Sequence, residues 1–559
     1  MARLLRDAIL KDRVYLPFSK NLRKLAKRHY EFRMFKEALC KKCDVYNNGE
    51  RFNDICATCT AYNGNYKLWN ETTLNNKRYI TLPKGDLKKV ESRLDISLKE
   101  ATDKRACPPM KNQDLKMTAK LFTNQKEKVE GGFVKRVNQR RLVKEWLKHK
   151  TGMIQAPPRS GKTFLGVRIA QHLKTKTLVI AHESMLLTQF YKTIYKYTNA
   201  KELEAKTGKK IAGIVKSMKD FREDWDFVLV TYQKFIRKNS KKRIAKYLRG
   251  NFGLLILDEC HLSSAPAFSE FAANMDSKYV LGLTATPKRK DGLEKLAGMI
   301  VGPVVVKGEN VGMKPLVEVH DTKLAPKTDW RGMSAYTKAV SWTSMNKERN
   351  AMLVRQVFAD LRADKRHNII IPVERRSQAA LLVKMINKQA AINNEKREES
   401  WNENLARMYI GGVNKERVIS HMQKGKGTRV LVAMRKMCKL GLDIEALTHM
   451  YLQTPINNAP DFYQLTQRIC TFYPNKPQPV LRYYVDRIGI SQGCFRSSWW
   501  NGVVALKYYF TSLTSSKVSA MLGEFKSTAY RTNAYSNRYR KTTQMQYGGR
   551  KKLHVAKWS

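Results

Sequence analysis

Acidic side chains are scarce in this chain: its 559 residues carry 48 Asp and Glu against 106 Lys and Arg, a formal net charge of +58. So one-sided a field exceeds what solubility needs and points to a polyanionic partner; the plainer reading is a generally basic surface with no single groove. Long hydrophobic runs are also lacking. No stretch is long enough to cross a bilayer, which favours nucleic acid over a membrane as the polyanion. The start, MARLLRDAILKDR, is charged throughout and has no apolar core of a secretory leader, so a cytoplasmic location is expected. Cysteine is sparse at nine, with four in one tight cluster, a pattern for a reducing compartment and a metal site rather than a disulfide framework. No nuclease motif is evident. The length allows three or four domains.

What is present centres on residues 155–163, QAPPRSGKT. Apolar residues on both sides place this loop between a buried strand and a helix, as a phosphate-cradling loop requires. Backbone N–H groups around Pro158, Arg159, Ser160 and Gly161 meet a triphosphate at the helix start, Lys162 reaches the outer phosphates, and Thr163 holds magnesium. The strict pattern opens with Gly, where this chain has Ala156. Further on, the apolar residues 253–257 end in Asp258-Glu259-Cys260-His261. A carboxylate at a strand end orients the metal, and its neighbour polarises the attacking water. With Lys162 and Thr163 upstream, Asp258 and Glu259 predict an NTP-hydrolysing site. Gln139, beside Arg136 in a helix just ahead of the loop strand, is placed to read both edges of an adenine, although a surface glutamine is the bland alternative.

The N-terminal third reads as accessory. Residues 3–36 mix basic side chains with Tyr15, Phe18, Tyr30, Phe32 and Phe35, either a solvated basic helix or an arm tracking a phosphate backbone. Cys40-x-x-Cys43 and Cys56-x-x-Cys59 flank the turn Asn47-Asn48-Gly49, a spacing that brings four thiolates to one structural zinc. Residues 66–69 and 78–82 alternate like paired strands, and Pro83-Lys84-Gly85-Asp86 ends the second and opens a helix.

Strands are predicted at 177–181, 227–230 and 280–283, each ending in small polar residues, where an open α/β sheet presents its ligand crevice. Residues 368–373, 409–410 and 429–433, with a helix over 378–386, predict a second parallel sheet. The order AxxxSGKT, DECH, LGLTATPKRKDG, GG, RVLVAM, GLDI and QLTQR resembles the superfamily 2 helicases and translocases over about residues 133–475. The TATPxRxDG form looks most like the branch that holds XPB, RecG-type and bacteriophage UvsW-type branch-migration enzymes, here with an added N-terminal zinc module.

That resemblance implies an α/β fold of two tandem RecA-like domains with ATP in the cleft between them. It makes Lys162 and Thr163 the phosphate and magnesium ligands, Asp258 the metal-orienting acid, Glu259 the catalytic base and Gln139 the adenine-reading residue. His261, Thr284 and Thr286 look like coupling residues. Gln189, Thr231, Arg289 and Gly412 fall where the family touches nucleic acid, and Gly441 and Asp443 resemble the nucleotide-facing part of motif V. Motif VI departs from the family pattern: Gln464 and Arg468 are in register, but Gln467 replaces the glycine and Thr471 the second arginine. Arg468 alone is then left to supply charge to the transition state.

The implied organisation is a basic arm (1–37), a four-Cys zinc module (38–66), a small α+β domain (67–122), two RecA-like domains (123–311 and 312–490) and a basic aromatic extension (491–559). In that extension Trp499, Trp500, Tyr508, Tyr509 and Phe510 favour a packed helical segment over a base-stacking platform. The function implied is an ATP-, magnesium- and zinc-using DNA helicase, monomeric on forked or branched DNA. The alternatives are an RNA helicase, a zinc-bearing nucleic-acid binder with a decayed motor, and a translocase subunit of a larger restriction or repair machine.

Overall fold

The computed structural model describes residues 3–33, 65–123, 126–129, 132–217, 219–222, 224–233, 247–260, 275–285, 294–327, 330, 335–411, 415–423, 427–439, 442, 444–454, 456, 459–472, 475–511 and 513–521. The chain divides into two compact units, Met1–Gly312 with Lys439–Leu442, and Met313–Cys438 with Asp443–Ser559.

After a two-residue strand, Arg3–Leu4, the first unit continues with β1 (Ile9–Leu10), β2 (Val14–Pro17) and α1 (Lys20–Tyr30). β3 (Glu31–Arg33), β4 (Asn65–Lys67), β5 (Asn70–Leu74), β6 (Lys77–Leu82), α2 (Leu87–Leu94) and β7 (Thr102–Asp103) follow. Among the described residues, the sheet order is β5-β6-β2-β1-β7. Ser19 starts α1 by accepting the Leu22 N–H on its side chain, and Leu22, Ala26 and Tyr30, four residues apart, form its buried stripe. Asp86 caps α2 in the same way through the Lys89 N–H, so the Pro83 to Asp86 segment does open a helix.

Two features here differ from the sequence reading. The composition of residues 3–36 predicts either a basic helix or an arm; α1 is such a helix, and with β1 and β2 it belongs to the same sheet domain as β5 and β6 and is not a separate arm. High charge around β2 hides a period-two pattern in which buried Val14 and Leu16 alternate with half-buried Tyr15 and Pro17. Residues 66–69 do not pair with 78–82 either. β4 runs antiparallel to β3, Glu31 opposite Lys67 and Arg33 opposite Asn65, and β6 pairs with β5 and β2. Between β3 and β4 lie residues 34–64, so Cys40, Cys43, Cys56 and Cys59 fall outside the described residues.

Among the described residues, this small domain shares its core with the sheet that follows. Leu16, Ile80, Leu82, Val90 and Leu94 belong to one apolar cluster with Leu178, Val228, Leu255, Val280 and Val301 of the sheet that follows. Lys84, buried at the seam, donates to the Ser277 carbonyl at 2.7 Å and the Lys11 carbonyl at 3.2 Å. A methyl group on Gly85 would lie 2.5 Å from the Ile300 carbonyl, so only glycine admits this approach. The connecting chain is fastened as well: the buried Asp226 carboxylate accepts the N–H groups of Lys111 at 2.6 Å and Asn112 at 3.1 Å.

The sheet comprises β8 (Thr151–Gln155), β9 (Thr177–Ala181), β10 (Ala212–Ile214), β11 (Phe227–Thr231), β12 (Leu254–Asp258), β13 (Tyr279–Thr284) and β14 (Val304–Lys307). They are all parallel, in the order β10-β11-β9-β12-β13-β8-β14. Helices α3 (Gln139–His149), α4 (Lys162–Leu173) and α5 (Ser184–Tyr197) flank it. Burial on both faces explains why its strands are continuous apolar runs such as Leu178-Val179-Ile180. Parallel alignment brings Gln155, Ala181, Thr231, Asp258 and Thr284 to one edge.

The second unit repeats the plan with β15 (Leu316–Asp321), β16 (Ile369–Val373), β17 (Ala406–Tyr409), β18 (Val430–Met434), β19 (His449–Leu452), β20 (Val480–Val485) and β21 (Tyr509–Phe510). These too are parallel, in the order β17-β18-β16-β19-β20-β15-β21. Helices α6 (Lys347–Ala363), α7 (Arg376–Arg397), α8 (Ala459–Thr466) and α9 (Gly489–Ser498) are the ones that matter for its site. Arg349 is fully buried and forms a two-pronged ion pair with Asp486, at 2.8 and 3.0 Å, and a 3.1 Å bond to Gln453 Oε1. Gln378 Nε2 reaches the same Gln453 oxygen at 2.9 Å, which ties α6, α7 and the ends of β19 and β20 together. In the extension, α9 and the π-helical turn Trp499–Val504 pack as expected, with Trp499 and Tyr508 buried. Tyr509 departs from the packed reading: it sits on edge strand β21 and is 55% exposed, like Trp500 at 54%. Among the described residues, no helix is long and apolar enough to cross a membrane.

Candidate nucleotide-binding site

The candidate site lies at the carboxyl edge of the first sheet. β8 ends at Gln155, residues 156–161 form the loop, and α4 starts at Lys162. Gly161 turns the chain into the helix at a φ of 80°, and a Cβ there would sit 2.6 Å from Gln139 Nε2. Lys162 Nζ lies 3.4 Å from the Ala156 carbonyl oxygen and 3.8 Å from Glu259 Oε1. Glu259 itself takes a left-handed φ of 47°, which breaks β12 directly after Asp258. Burial pushes the Asp258 carboxyl up to about 7, the Glu259 charge acts the same way, and Lys162 opposes both. A buried Asp258 carboxylate whose ionisation burial penalises, the neighbouring Glu259 carboxylate and the Thr163 hydroxyl of the loop helix are hard oxygen donors of the kind that suits Mg2+. The residues therefore fit that ion.

Gln139 is the first residue of α3 and is buried. Its Nε2 donates to the Ser160 carbonyl at 3.0 Å and its Oε1 accepts the Phe122 N–H at 3.3 Å. Its amide is thus held between the loop and Phe122. Arg136 stands over the Phe122 ring, 5.4 Å from its centroid. Phe122 is absent from the sequence reading; an aromatic ahead of the basic helix was its only signal. Arg159 sits in the loop with a left-handed φ of 61°, next to the half-buried Pro158. Buried Ser160 has an Oγ with no hydrogen-bond partner among the described residues. The Thr284 carbonyl accepts the Ala156 N–H at 2.9 Å, joining β13 to the start of the loop.

Along the same edge, Thr231 is half-buried at the end of β11, and Gln189 is exposed on α5. Gln233, also missed, donates from Nε2 to the His182 carbonyl at 2.6 Å and links the loops after β9 and β11. His261, Thr286, Arg289, Gly412, Gly441 and Asp443 lie outside the described residues.

In the second unit Gln464 is half-buried on α8, and Arg468 follows that helix, its N–H bonded to the Leu465 carbonyl at 3.1 Å. Burial pushes the Cys438 thiol up to about 12 and raises the Tyr409 hydroxyl; the Arg468 charge works against burial at both. The two motif VI departures have local partners. Buried Gln467 donates from Nε2 to the Tyr508 hydroxyl at 3.3 Å, and Thr466 Oγ1 lies 2.7 Å from the same oxygen. The Thr471 carbonyl receives Lys476 Nζ at 2.8 Å, as does that of Ile469, so a lysine brings positive charge beside the position where the family pattern has an arginine.

Two parallel α/β sheets of this kind are the architecture of tandem RecA-like helicase domains. Residues 132–289 match the family model described as "Type III restriction enzyme, res subunit". The chain is 34% identical over 167 residues to the DNA 3'-5' translocase XPB2 of Sulfurisphaera tokodaii, a match that covers 30% of this chain and 34% of that protein. It is 26% identical over 308 residues to L396 of Acanthamoeba polyphaga mimivirus, whose name assigns it provisionally to the ATP-dependent RNA helicases; that match covers 53% of each. The chain thus spans about a third to half the length of these relatives. Among solved structures, T4 UvsW aligns over 91% of this chain and 99% of its own, at 13% identity and a TM-score of 0.35. The Pyrococcus furiosus Hef helicase domain aligns over 65% and 98%, at 15% identity and a TM-score of 0.41.

Proposed function

We propose that the chain is an ATP-dependent, nucleic-acid-translocating helicase that remodels branched DNA such as forks and four-way junctions. The observation that carries the motor reading is the convergence of Lys162, Asp258 and Glu259 at one strand edge, with Lys162 Nζ 3.8 Å from Glu259 Oε1. In this reading the loop N–H groups and Lys162 bind the β- and γ-phosphates, Thr163 and Asp258 hold Mg2+, and Glu259 takes a proton from the attacking water. Magnesium, when bound, neutralises charge developing on the phosphate oxygens. Gln139 and Phe122 line the base, Arg468 supplies charge from the second domain with the neutral Gln464 amide of the same motif, and Gly441 and Asp443 face the nucleotide. His261, Thr284 and Thr286 carry nucleotide state to a strand-binding surface that includes Gln189, Thr231, Arg289 and Gly412. Cys40, Cys43, Cys56 and Cys59 hold a structural zinc, and the protein acts in the cytoplasm as a monomer on DNA. The net charge of +58 supports a nucleic-acid track, and the TATPxRxDG form supports the branch that holds XPB and RecG-type enzymes.

The test is ATP turnover and strand separation across single strands, duplexes, forks and junctions, with Lys162→Ala alongside. Equal ATP turnover by the wild type and Lys162→Ala removes the motor assignment. An RNA track is the second reading, favoured by the length of the match to the mimivirus protein. Matched RNA substrates that stimulate turnover more than DNA would establish it.

A further inference from the structure

We infer that the N-terminal domain carries a second nucleic-acid contact, a grip for a duplex phosphate backbone on the outer face of α1, fixed rigidly to the first RecA-like domain. The inference rests on the nucleic-acid reading above and adds a site to it.

The sequence of α1, KNLRKLAKRHY, holds five cations and no acid, and α2, LKKVESRL, holds three cations and one acid. The single acid, Glu91, is occupied in accepting the Leu98 N–H at 2.7 Å. Lys20, Lys24, Lys27 and Arg28 are all exposed and recur at intervals of four, three and one, which places them on the face opposite Leu22, Ala26 and Tyr30. Among the described residues none of the four has an acidic partner. Arg23 and Arg78 do, both through Glu71, at 2.8 and 3.0 Å. Arg93 covers the carboxyl end of α1, its guanidinium 5.4 Å from the centroid of Tyr30 and Nη1 3.4 Å from the His29 carbonyl. Burial lowers the proton affinity of His29, and the charges of Arg93 and Arg28 lower it further, as a concentrated positive field would.

Lys20 to Arg28 spans about 12 Å of helix. A duplex presents about seven phosphate charges over that length, at about one per 1.7 Å. Unpaired cations in a row pay no cost for leaving an acid and release counterions on contact. The face is also not a loose appendage. The apolar cluster shared with Leu178, Leu255 and Val280, the Lys84 bond to Ser277 and the Gly85 contact with Ile300 make the small domain one body with the first sheet. A duplex held there moves with that domain.

The test compares the wild type with Lys24→Ala/Lys27→Ala/Arg28→Ala, using blunt duplex DNA and duplex RNA as separate probes over a salt series. The expected result is affinity at least tenfold weaker at low salt, with a slope of log K against log salt shallower by about 2.7, or about 0.9 per lost phosphate contact. ATP turnover stimulated by a short single strand stays at the wild-type level, and Lys24→Arg/Lys27→Arg keeps the duplex affinity. Unchanged affinity and slope in the triple variant overturn the inference while leaving the motor reading intact. A wild type that binds neither duplex nor single strand, and whose turnover neither stimulates, overturns both.

Discussion

At the level of single residues the loop depends on Gly161. Its left-handed φ costs any other residue about 1–2 kcal/mol, and a side chain would strike Gln139. Gly161→Ala is expected to lower stability by about that amount, measured by urea titration, and to abolish binding of a fluorescent ATP analogue. A second residue-scale prediction concerns His449 and His320, whose pKa values burial lowers to about 3 and about 4. The unfolded chain, with histidines near 6.5, binds more protons than the folded one below that pH. Their contribution to stability is therefore complete above about pH 6.5 and is lost as pH falls toward the folded values. The urea midpoint of the second unit should drop between pH 7 and 4.5, and His320→Phe should flatten that slope.

At the level of elements the motif VI segment is held by parts of the chain far from it in sequence. The Tyr508 hydroxyl, from the C-terminal extension, bonds Thr466 and Gln467, the residues just ahead of Arg468. Tyr508→Phe should cost about 1 kcal/mol. If Arg468 plays its proposed role, the change should also reduce kcat for ATP hydrolysis several-fold with KM for ATP unchanged, since the phosphate loop is untouched. Beneath it, Arg349→Ala would leave Asp486 charged in a site that is 1% exposed. Destabilisation by about 3–5 kcal/mol in the second unit's transition is expected. The regular elements were largely legible in the sequence: residues 177–181 are a strand as predicted, and residues 254–258 form one that extends a residue further, to Asp258. Apolar runs buried on both faces leave few alternatives. The interactions of Gln467 and Lys476 were not legible, since each depends on a partner that only tertiary folding supplies. Phe122 and Gln233 were missed for the same reason: the partners they meet, Gln139 and Arg136 for one and the His182 carbonyl for the other, are brought to them only by the fold. The basic N-terminal strands were misread because composition was weighed above period.

At the level of the whole molecule the shared core predicts how the protein unfolds. The N-terminal domain and the first RecA-like domain should melt together, so calorimetry should resolve no more than two transitions. A third, separate transition for residues 3–103 would contradict the common core.

The rung formed by Glu31 and Lys67 has an engineering consequence. The chain leaves this domain and returns to it at neighbouring points, so everything between Arg33 and Asn65 is, topologically, a detachable cassette. Replacing it with a two-residue Asn-Gly turn should preserve the register of β3 and β4 and remove four cysteines at once. Metal content and junction unwinding could then be compared between two proteins that differ in nothing else.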